Sequence, residues 1–361
     1  MEHIFLYGPP GSGKSTVGKA LAACLHMPFV DLDEAIQDGV GQPIAHIMEQ
    51  SGESSFRDLE ETILRKAVAG PEAVIALGGG TLLRPSNRRL AEAQGRVVCL
   101  QAEPKKLLER ISADGNSRPL LAGNTEEQLV SLLTRRSDHY GSFTAQVNAD
   151  QPVPQLCQQL QMTVGRFRLA TMGNCDVVIR DGCLEGIGET LRARNVKAVA
   201  LVTDENVDKL YAEQVTNSLK QAGYDADVLV LLAGESSKTV QSIGQLWRGF
   251  LEAGLDRGST VIALGGGVVG DLAGFAASTF MRGIDWICMP TTLLAMVDAS
   301  IGGKTGFDLP EGKNLVGSFH APRLVLVDPG MLRTLPDVEY RAGLAEVVKH
   351  GVVADPDLFG L

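Results

Sequence analysis

Ile4-Phe5-Leu6-Tyr7-Gly8-Pro9-Pro10-Gly11-Ser12-Gly13-Lys14-Ser15 decides how the first half of this chain folds. A short apolar run leads into a glycine-rich turn that fits G-x-x-x-x-G-K-[ST]. The pattern that follows is helical, with Val17, Ala20, Leu21, Cys24 and Leu25 on one face. Strand, glycine turn and helix in this order form a phosphate loop. Its backbone N–H groups and the helix N-terminus cradle phosphates. The nucleotide-binding candidates are therefore Gly11, Ser12, Gly13, Lys14, Ser15 and Thr16. Lys14 reaches the β- and γ-phosphates of ATP, and Ser15 is a magnesium ligand.

Further along, residue types narrow the chemistry. Asp31-Leu32-Asp33 follows the strand-like Phe29-Val30, and alternation predicts both aspartates on one side with Leu32 opposite. One of these carboxylates would organise hydrated magnesium and the other would accept a hydrogen bond from a substrate hydroxyl. Arg57 and Glu60 are three apart at an expected helix start and share a face, so Glu60 can orient an arginine that grips a carboxylate. Arg118-Pro119-Leu120-Leu121 follows a loose 113–117 stretch and reads as a lid that brings an arginine over the transferring phosphoryl group. Arg136 supplies a second guanidinium at the end of a helix.

Val74-Ile75-Ala76-Leu77-Gly78-Gly79-Gly80 recurs as Val261-Ile262-Ala263-Leu264-Gly265-Gly266-Gly267. Each copy reads as a buried strand ending in a glycine turn, where a ligand can approach backbone closely. The flanks do not match, so the two copies imply two sites rather than a repeat. Strand-like runs alternate with helical patterns throughout, at 4–7, 74–77, 96–100, 198–203, 227–232, 261–264, 286–289 and 324–327. This predicts α/β organisation with mostly parallel strands. The expected domains are residues 1–165 and 166–361.

The 361 residues carry a formal net charge of −10, with 44% hydrophobic and 21% charged residues. Acidity without a lysine-rich tract argues against nucleic acid as a partner. No apolar run is long enough to span a bilayer, and the start does not resemble a signal peptide. A cytoplasmic location without a membrane partner is expected. The six cysteines form no CxxC pair and are expected to be reduced thiols.

In the second half, Gly266 and Gly267 precede a predicted helix 272–280 and offer a pyrophosphate site. Asp204 and Asn206 follow another strand. Lys238, Arg282, Lys304, Lys313 and Lys349 stand singly in apolar or glycine-rich surroundings, which suggests anionic ligands. Glu346, Lys349 and His350 share a face of a predicted helix over 343–351. Glu346 and His350 could be two metal ligands, but a metal site needs three.

The first half resembles shikimate kinase over about residues 1–165. The phosphate loop, Asp-x-Asp, Phe56-Arg57-x-x-Glu60, Gly78-Gly79-Gly80, Arg118-Pro119-Leu120-Leu121 and Arg136-x-x-x-Tyr140 come in that family's order. The resemblance implies the nucleoside monophosphate kinase fold, a five-stranded parallel sheet with a lid. It implies transfer of the ATP γ-phosphoryl group to the 3-hydroxyl of shikimate. It places Asp33 on shikimate as the candidate base, Asp31 near magnesium, and Arg57 and Arg136 on the carboxylate. Gly78, Gly79 and Gly80 contact substrate, Arg118 contacts phosphates, and Arg110 approaches adenine. Asp138 stands where the family often has proline.

The second half resembles the front part of 3-dehydroquinate synthase over about residues 170–361. The resemblance rests on Gly234-Glu235-Ser236-Ser237-Lys238-Thr239, the segment from Gly265 to Phe275, Met289 to Thr305, Gly312 to Gly317 and Gly343 to Lys349. It implies NAD, a divalent zinc or cobalt ion, and the substrate 3-deoxy-D-arabino-heptulosonate 7-phosphate. It assigns Asp204, Asn206, Glu235, Lys238, Gly266, Gly267, Asp271, Thr291, Thr292, Lys313 and Thr334 to NAD. Arg282, Asp298, Lys304, Asn314 and Lys349 go to the substrate, and Glu346 to the metal. The family's other two metal ligands are histidines on a later helical domain. The chain is thus expected to be a fragment of a longer fusion, or else to carry a second half without synthase activity. The family is commonly dimeric, which makes a homodimer an expectation. The rival readings are a kinase of another hydroxy acid such as gluconate, a related polyol dehydrogenase, and a nucleotide-sensing module without turnover.

Overall fold

The computed structural model of the chain describes residues 2–114, 125–170 and 173–360. Arg118, the expected lid arginine, lies outside them. The chain divides into two units, Met1–Val164 and Gly165–Leu361.

The first unit is a five-stranded parallel sheet flanked by helices. Its elements are β1 (His3–Tyr7), α1 (Lys14–Leu25), β2 (Phe29–Asp31), α2 (Leu32–Val40), α3 (Ile44–Val68), β3 (Val74–Ala76), α4 (Pro85–Gln94), β4 (Gly95–Gln101), α5 (Pro104–Asp114), α6 (Thr125–Gly141), β5 (Gln146–Asn148) and α7 (Val153–Val164). The strand order is β2-β3-β1-β4-β5. All five residues of β1 are buried, as a central strand covered on both faces requires. Ile4 and Leu6 pack with Val17, Leu21 and Leu160 on one face. Phe5 and Tyr7 pack with Leu32, Phe56 and Leu64 on the other. The phosphate loop leaves the carboxyl end of β1, where parallel sheets gather ligands.

The second unit contains β6 (Arg166–Leu169), β7 (Cys175–Ile179), α8 (Ile187–Ala193) and β8 (Val199–Asp204). A helical stretch then runs through α9 (Glu205–Val207), a π-helical turn (Asp208–Ala212) and α10 (Glu213–Gln221). There follow β9 (Asp227–Leu231), α11 (Val240–Glu252), β10 (Thr260–Gly265), α12 (Gly267–Thr279), β11 (Asp285–Pro290), β12 (Lys304–Leu309), β13 (Gly312–Phe319), β14 (Leu324–Val327) and α13 (Asp337–Val353). The sheet order is β6-β7-β14-β11-β10-β8-β9. It is parallel except where β6 meets β7. Strands β12 and β13 form a separate antiparallel hairpin. Strand order reverses between β8 and β10, so the carboxyl ends of these strands border the expected ligand crevice.

The β-branched, apolar strands announced themselves in the sequence. β5, β6 and the β12–β13 hairpin did not, because their glycines, charges and short lengths mask a period of two. The helix after β10 starts at Gly267 rather than Leu272, with Gly266 as its N-cap. All six cysteines are free. Burial pushes the Cys183 and Cys288 thiols up to about 12.

Among the described residues no helix is long and apolar enough to cross a membrane. Leu201 on β8 is fully buried in the second unit's core. Leu201→Ala should cost about 2–5 kcal/mol, measured as a lowered urea midpoint by fluorescence of Trp247 and Trp286.

Candidate functional site

In the first unit Gly8, Gly11 and Gly13 have φ of 138°, 80° and 85°. Such values are available to glycine at little cost and bend the loop so that amides can face one point. No side chain caps the start of α1, which leaves its first N–H groups for a ligand. Lys14 Nζ donates to the carbonyls of Gly8 and Pro9, both at 2.9 Å, and holds the loop around its own head group.

Asp31 and Asp33 are not on one side of a strand. β2 ends at Asp31, which caps α2 by accepting from the amides of Asp33 at 3.0 Å and Glu34 at 3.3 Å. Asp33 sits in the helix's first turn. Two stacked amide donors stabilise the helix start more than one further extended residue would, and this overrides alternation. Ser15 Oγ donates to Asp31 at 2.5 Å, so the two expected magnesium residues do meet.

The acceptor side is built on a buried ion pair. Glu60 has a side chain only 1% exposed and lies 2.6 Å from Arg57 Nη1. Thr81 Oγ1 donates to the same carboxylate at 2.5 Å. Burial works against the charge of Arg57, but Glu60 and Glu53 outweigh it and raise its pKa. A Cβ on Gly80 would lie 2.7 Å from Arg57 Nη2, so the guanidinium rests on bare backbone. A Cβ on Gly78 would lie 2.9 Å from both Asp33 Oδ1 and Glu60 Oε1. One on Gly79 would lie 3.2 Å from Pro10 of the phosphate loop. Asp33, Arg57 and the loop therefore converge over Gly78–Gly80.

Arg136 joins them by donating to the Gly79 carbonyl at 3.0 Å. That oxygen also accepts from Tyr140 at 2.7 Å and Tyr7 at 3.2 Å. Tyr7 Oη in turn contacts His139 Nε2 at 3.1 Å. Burial, then Arg88 and Arg136, lower the His139 pKa, so the ring is neutral at neutral pH. Sequence reasoning missed Tyr7, Thr81 and His139 because their roles depend on contacts between distant segments. Arg110 donates to the Ala149 carbonyl at 2.9 Å. The backbone it binds lies beside a cavity of about 380 Å³ lined by Gln101, Glu103, Asn148 and Asp150.

In the second unit the cations are less isolated than the sequence suggests. Lys238 is buried, 2.6 Å from Asp271, and bonds Asn314 Oδ1 at 2.5 Å. Lys313 lies 3.0 Å from Glu235. Lys349 pairs with Asp298 at 3.7 Å and with Glu346. Asp271, Glu235 and Asp298 arrive from other elements, which local composition does not reveal, whereas Glu346 lies one turn before Lys349 on the same helix. Arg282 and Lys304 have no ion pair among the described residues. Arg282 has φ of 71° and Met281 of 49°, a backbone conformation that costs free energy for non-glycine residues.

Around the crevice, Asp204 accepts from the amides of Asn206 and Val207. The Thr291 amide donates to Gly265 at 3.0 Å, and the Ala295 amide donates to Thr292 Oγ1 at 3.2 Å. No side chain caps α12, whose N-terminus begins at Gly266–Gly267. Thr334 bonds Tyr211 at 2.5 Å.

The third metal-ligand candidate, not found from sequence, is Asp298. One ligand atom each of Asp298, Glu346 and His350 lies within 4.8 Å of the others. Two carboxylates and an imidazole suit zinc or cobalt, and both carboxylates pair with Lys349 here. The resemblance assigns Asp298 to the substrate, and its place beside Glu346 and His350 is not legible in the sequence because the turn at Ala295–Ala299 and α13 meet only in the fold.

A shikimate kinase family model matches residues 10–164, and a 3-dehydroquinate synthase N-terminal model matches residues 228–342. The first unit belongs to the shikimate kinase family, and the second carries the N-terminal part of the 3-dehydroquinate synthase family. The chain is 52% identical over 187 residues to the 3-dehydroquinate synthase of Prochlorococcus marinus, covering 51% of each. It is 50% identical over 187 residues to that of a Synechococcus species, covering 51% of this chain and 50% of the relative. The chain thus spans about half the length of these curated relatives. The solved shikimate kinase from Acinetobacter baumannii, in complex with shikimate, is 35% identical with a TM-score of 0.43, across 45% of this chain and 92% of that one.

The second unit's Lys238–Asp271 pair makes a pH prediction. Burial raises the Asp271 pKa although Lys238 opposes it. Lys238→Met should cost about 3–5 kcal/mol at pH 7. An acid whose folded pKa exceeds its unfolded value loses stability as pH rises through the folded pKa. Removing Lys238 raises that pKa further. The urea midpoint should therefore fall more steeply between pH 5 and pH 7 in the variant than in the parent.

Proposed function

We propose that the first unit transfers the γ-phosphoryl group of ATP to the 3-hydroxyl of shikimate. The observation that carries this is the meeting of Asp33, Arg57 and Arg136 over Gly78–Gly80, next to the phosphate loop. Two guanidiniums suit a carboxylate, and Asp33 suits a hydroxyl. In this reading the substrate oxygen attacks the γ-phosphorus while its bond to the β–γ bridging oxygen breaks. ADP leaves, and the hydroxyl proton passes to the Asp33 carboxylate. Lys14 and the amides of Gly11–Thr16 neutralise the charge that builds on the phosphates. Ser15 and Asp31 would hold hydrated magnesium, which supplies further charge neutralisation. Arg118 is carried in the proposal as the lid arginine, with Arg110 beside the adenine.

The second unit is proposed as the NAD- and metal-binding part of a 3-dehydroquinate synthase. NAD would lie across the carboxyl ends of β8 and β10, with its pyrophosphate on the start of α12. In this proposal Asp204, Asn206, Glu235, Lys238, Gly266, Gly267, Asp271, Thr291, Thr292, Lys313 and Thr334 would contact it. The cofactor's chemistry is hydride transfer. Glu346, with Asp298 and His350, would hold the divalent ion, which polarises a substrate oxygen. Arg282, Lys304, Asn314 and Lys349 would take the phosphate and hydroxyls of 3-deoxy-D-arabino-heptulosonate 7-phosphate. Action in the cytoplasm and a homodimer through this unit belong to the same proposal.

With shikimate, ATP and magnesium, the chain should release ADP and form phosphoshikimate. Asp33→Asn should lower kcat by about 10²–10⁴-fold, followed by coupled ADP release. Parental turnover in that variant would remove the assigned role of Asp33. No phosphorylation of shikimate by the parent would overturn the kinase reading.

A further inference from the structure

Arg57 carries a second carboxylate that the proposed reaction does not use. Its Nη2 donates to Glu53 Oε1 at 2.8 Å, and the Glu53 side chain is 56% exposed. The two partners of Arg57 thus differ in kind. Glu60 is buried and hydrogen-bonded by Thr81, so it is fixed. Glu53 faces solvent and holds the largely buried guanidinium from its outer side, where water weakens the pair. One carboxylate positions Arg57, and the other occupies part of its donor edge.

The helix is broken next to Glu53. Gly52 interrupts α3 with φ of 79° and ψ of 166°. That conformation is essentially restricted to glycine, and it separates the preceding helical turns from the segment bearing Arg57 and Glu60. A cavity of about 360 Å³ lined by Val40, Ile47, Ser51 and Ser55 borders the break. Glu53 follows this break directly, and its bond to Arg57 Nη2 is separate from the bond of Glu60 to Nη1.

We infer that Glu53 is a specificity-determining residue that occupies the carboxylate-binding edge of Arg57 and must be displaced by the acceptor's own carboxylate. This deepens the kinase reading and rests on it. A carboxylate substrate replaces one anion with another on Nη2 and keeps the guanidinium neutralised. An uncharged polyol has no charge with which to compete, so it leaves Glu53 in place. The gate therefore lowers affinity for the true acceptor slightly and selects by charge, which is specificity gained through a competing element.

The sign of one substitution separates this role from simple support of Arg57. Glu53→Gln keeps an acceptor for Nη2 and removes the charge. Calorimetric titration of the full chain should give a shikimate Kd about three- to fivefold lower than the parent's, the range of an exposed ion pair. The Kd for shikimate methyl ester, which has no charge, should stay within twofold, and kcat should hold. Glu53→Ala should tighten shikimate binding in the same direction. A shikimate Kd that is unchanged or higher in Glu53→Gln overturns the gate. Equal tightening of acid and ester also overturns it, because the effect would then be steric. If the parent itself fails to bind shikimate, the kinase reading falls, an outcome distinct from the other two.

Discussion

The acceptor side of the first unit depends on the buried pair between Arg57 and Glu60. Glu60 is nearly inaccessible to solvent, and its carboxylate is spent on Arg57 and Thr81. A buried charge of this kind persists only when its partners are fixed. The pair thereby fixes the plane of the guanidinium over Gly80, where any side chain would collide with it. From that plane follow the approach of Asp33 at Gly78 and the place of Arg136 on the Gly79 carbonyl. The triple glycine is thus more than a flexible turn. It is the floor on which charged groups lie flat.

The second unit solves a related problem with the same seven residues. Its copy of Val-Ile-Ala-Leu-Gly-Gly-Gly again ends a buried parallel strand, but here the last glycine opens a helix. Bare backbone and an uncapped helix start replace the arginine floor, which suits a pyrophosphate rather than a carboxylate. The buried Lys238–Asp271 pair plays the fixing part that Arg57–Glu60 plays in the first unit. An acidic chain thereby concentrates positive charge where anions are expected, with Arg57, Lys238, Lys313 and Lys349 each held by a nearby carboxylate.

Much of this was legible from the sequence, for physical reasons that differ by residue. The phosphate loop could be read because its function lies in consecutive backbone amides. β1 and β10 could be read because burial on both faces demands continuous apolar residues. Arg57 with Glu60, and Glu346 with His350, could be paired because helical spacing puts them on one face. Asp31 and Asp33 were misplaced because a capping carboxylate ends a strand that alternation would extend. The metal-ligand grouping of Asp298, the contacts of Thr81 and Tyr7, and the pairing of Lys238 with Asp271 and of Lys313 with Glu235 were out of reach. They come together only through the sheet order, and no local period encodes that.

The account's central claim is that Arg57, held by Glu60, reads the acceptor's carboxylate through its planar fork. The most direct measurement is the KM for shikimate in Arg57→Lys, which keeps the charge and removes the fork. Losing a charge-assisted bidentate contact of about 1.5–3 kcal/mol predicts a KM raised about 10- to 150-fold, with the KM for ATP unchanged. A shikimate KM equal to the parent's would contradict the account.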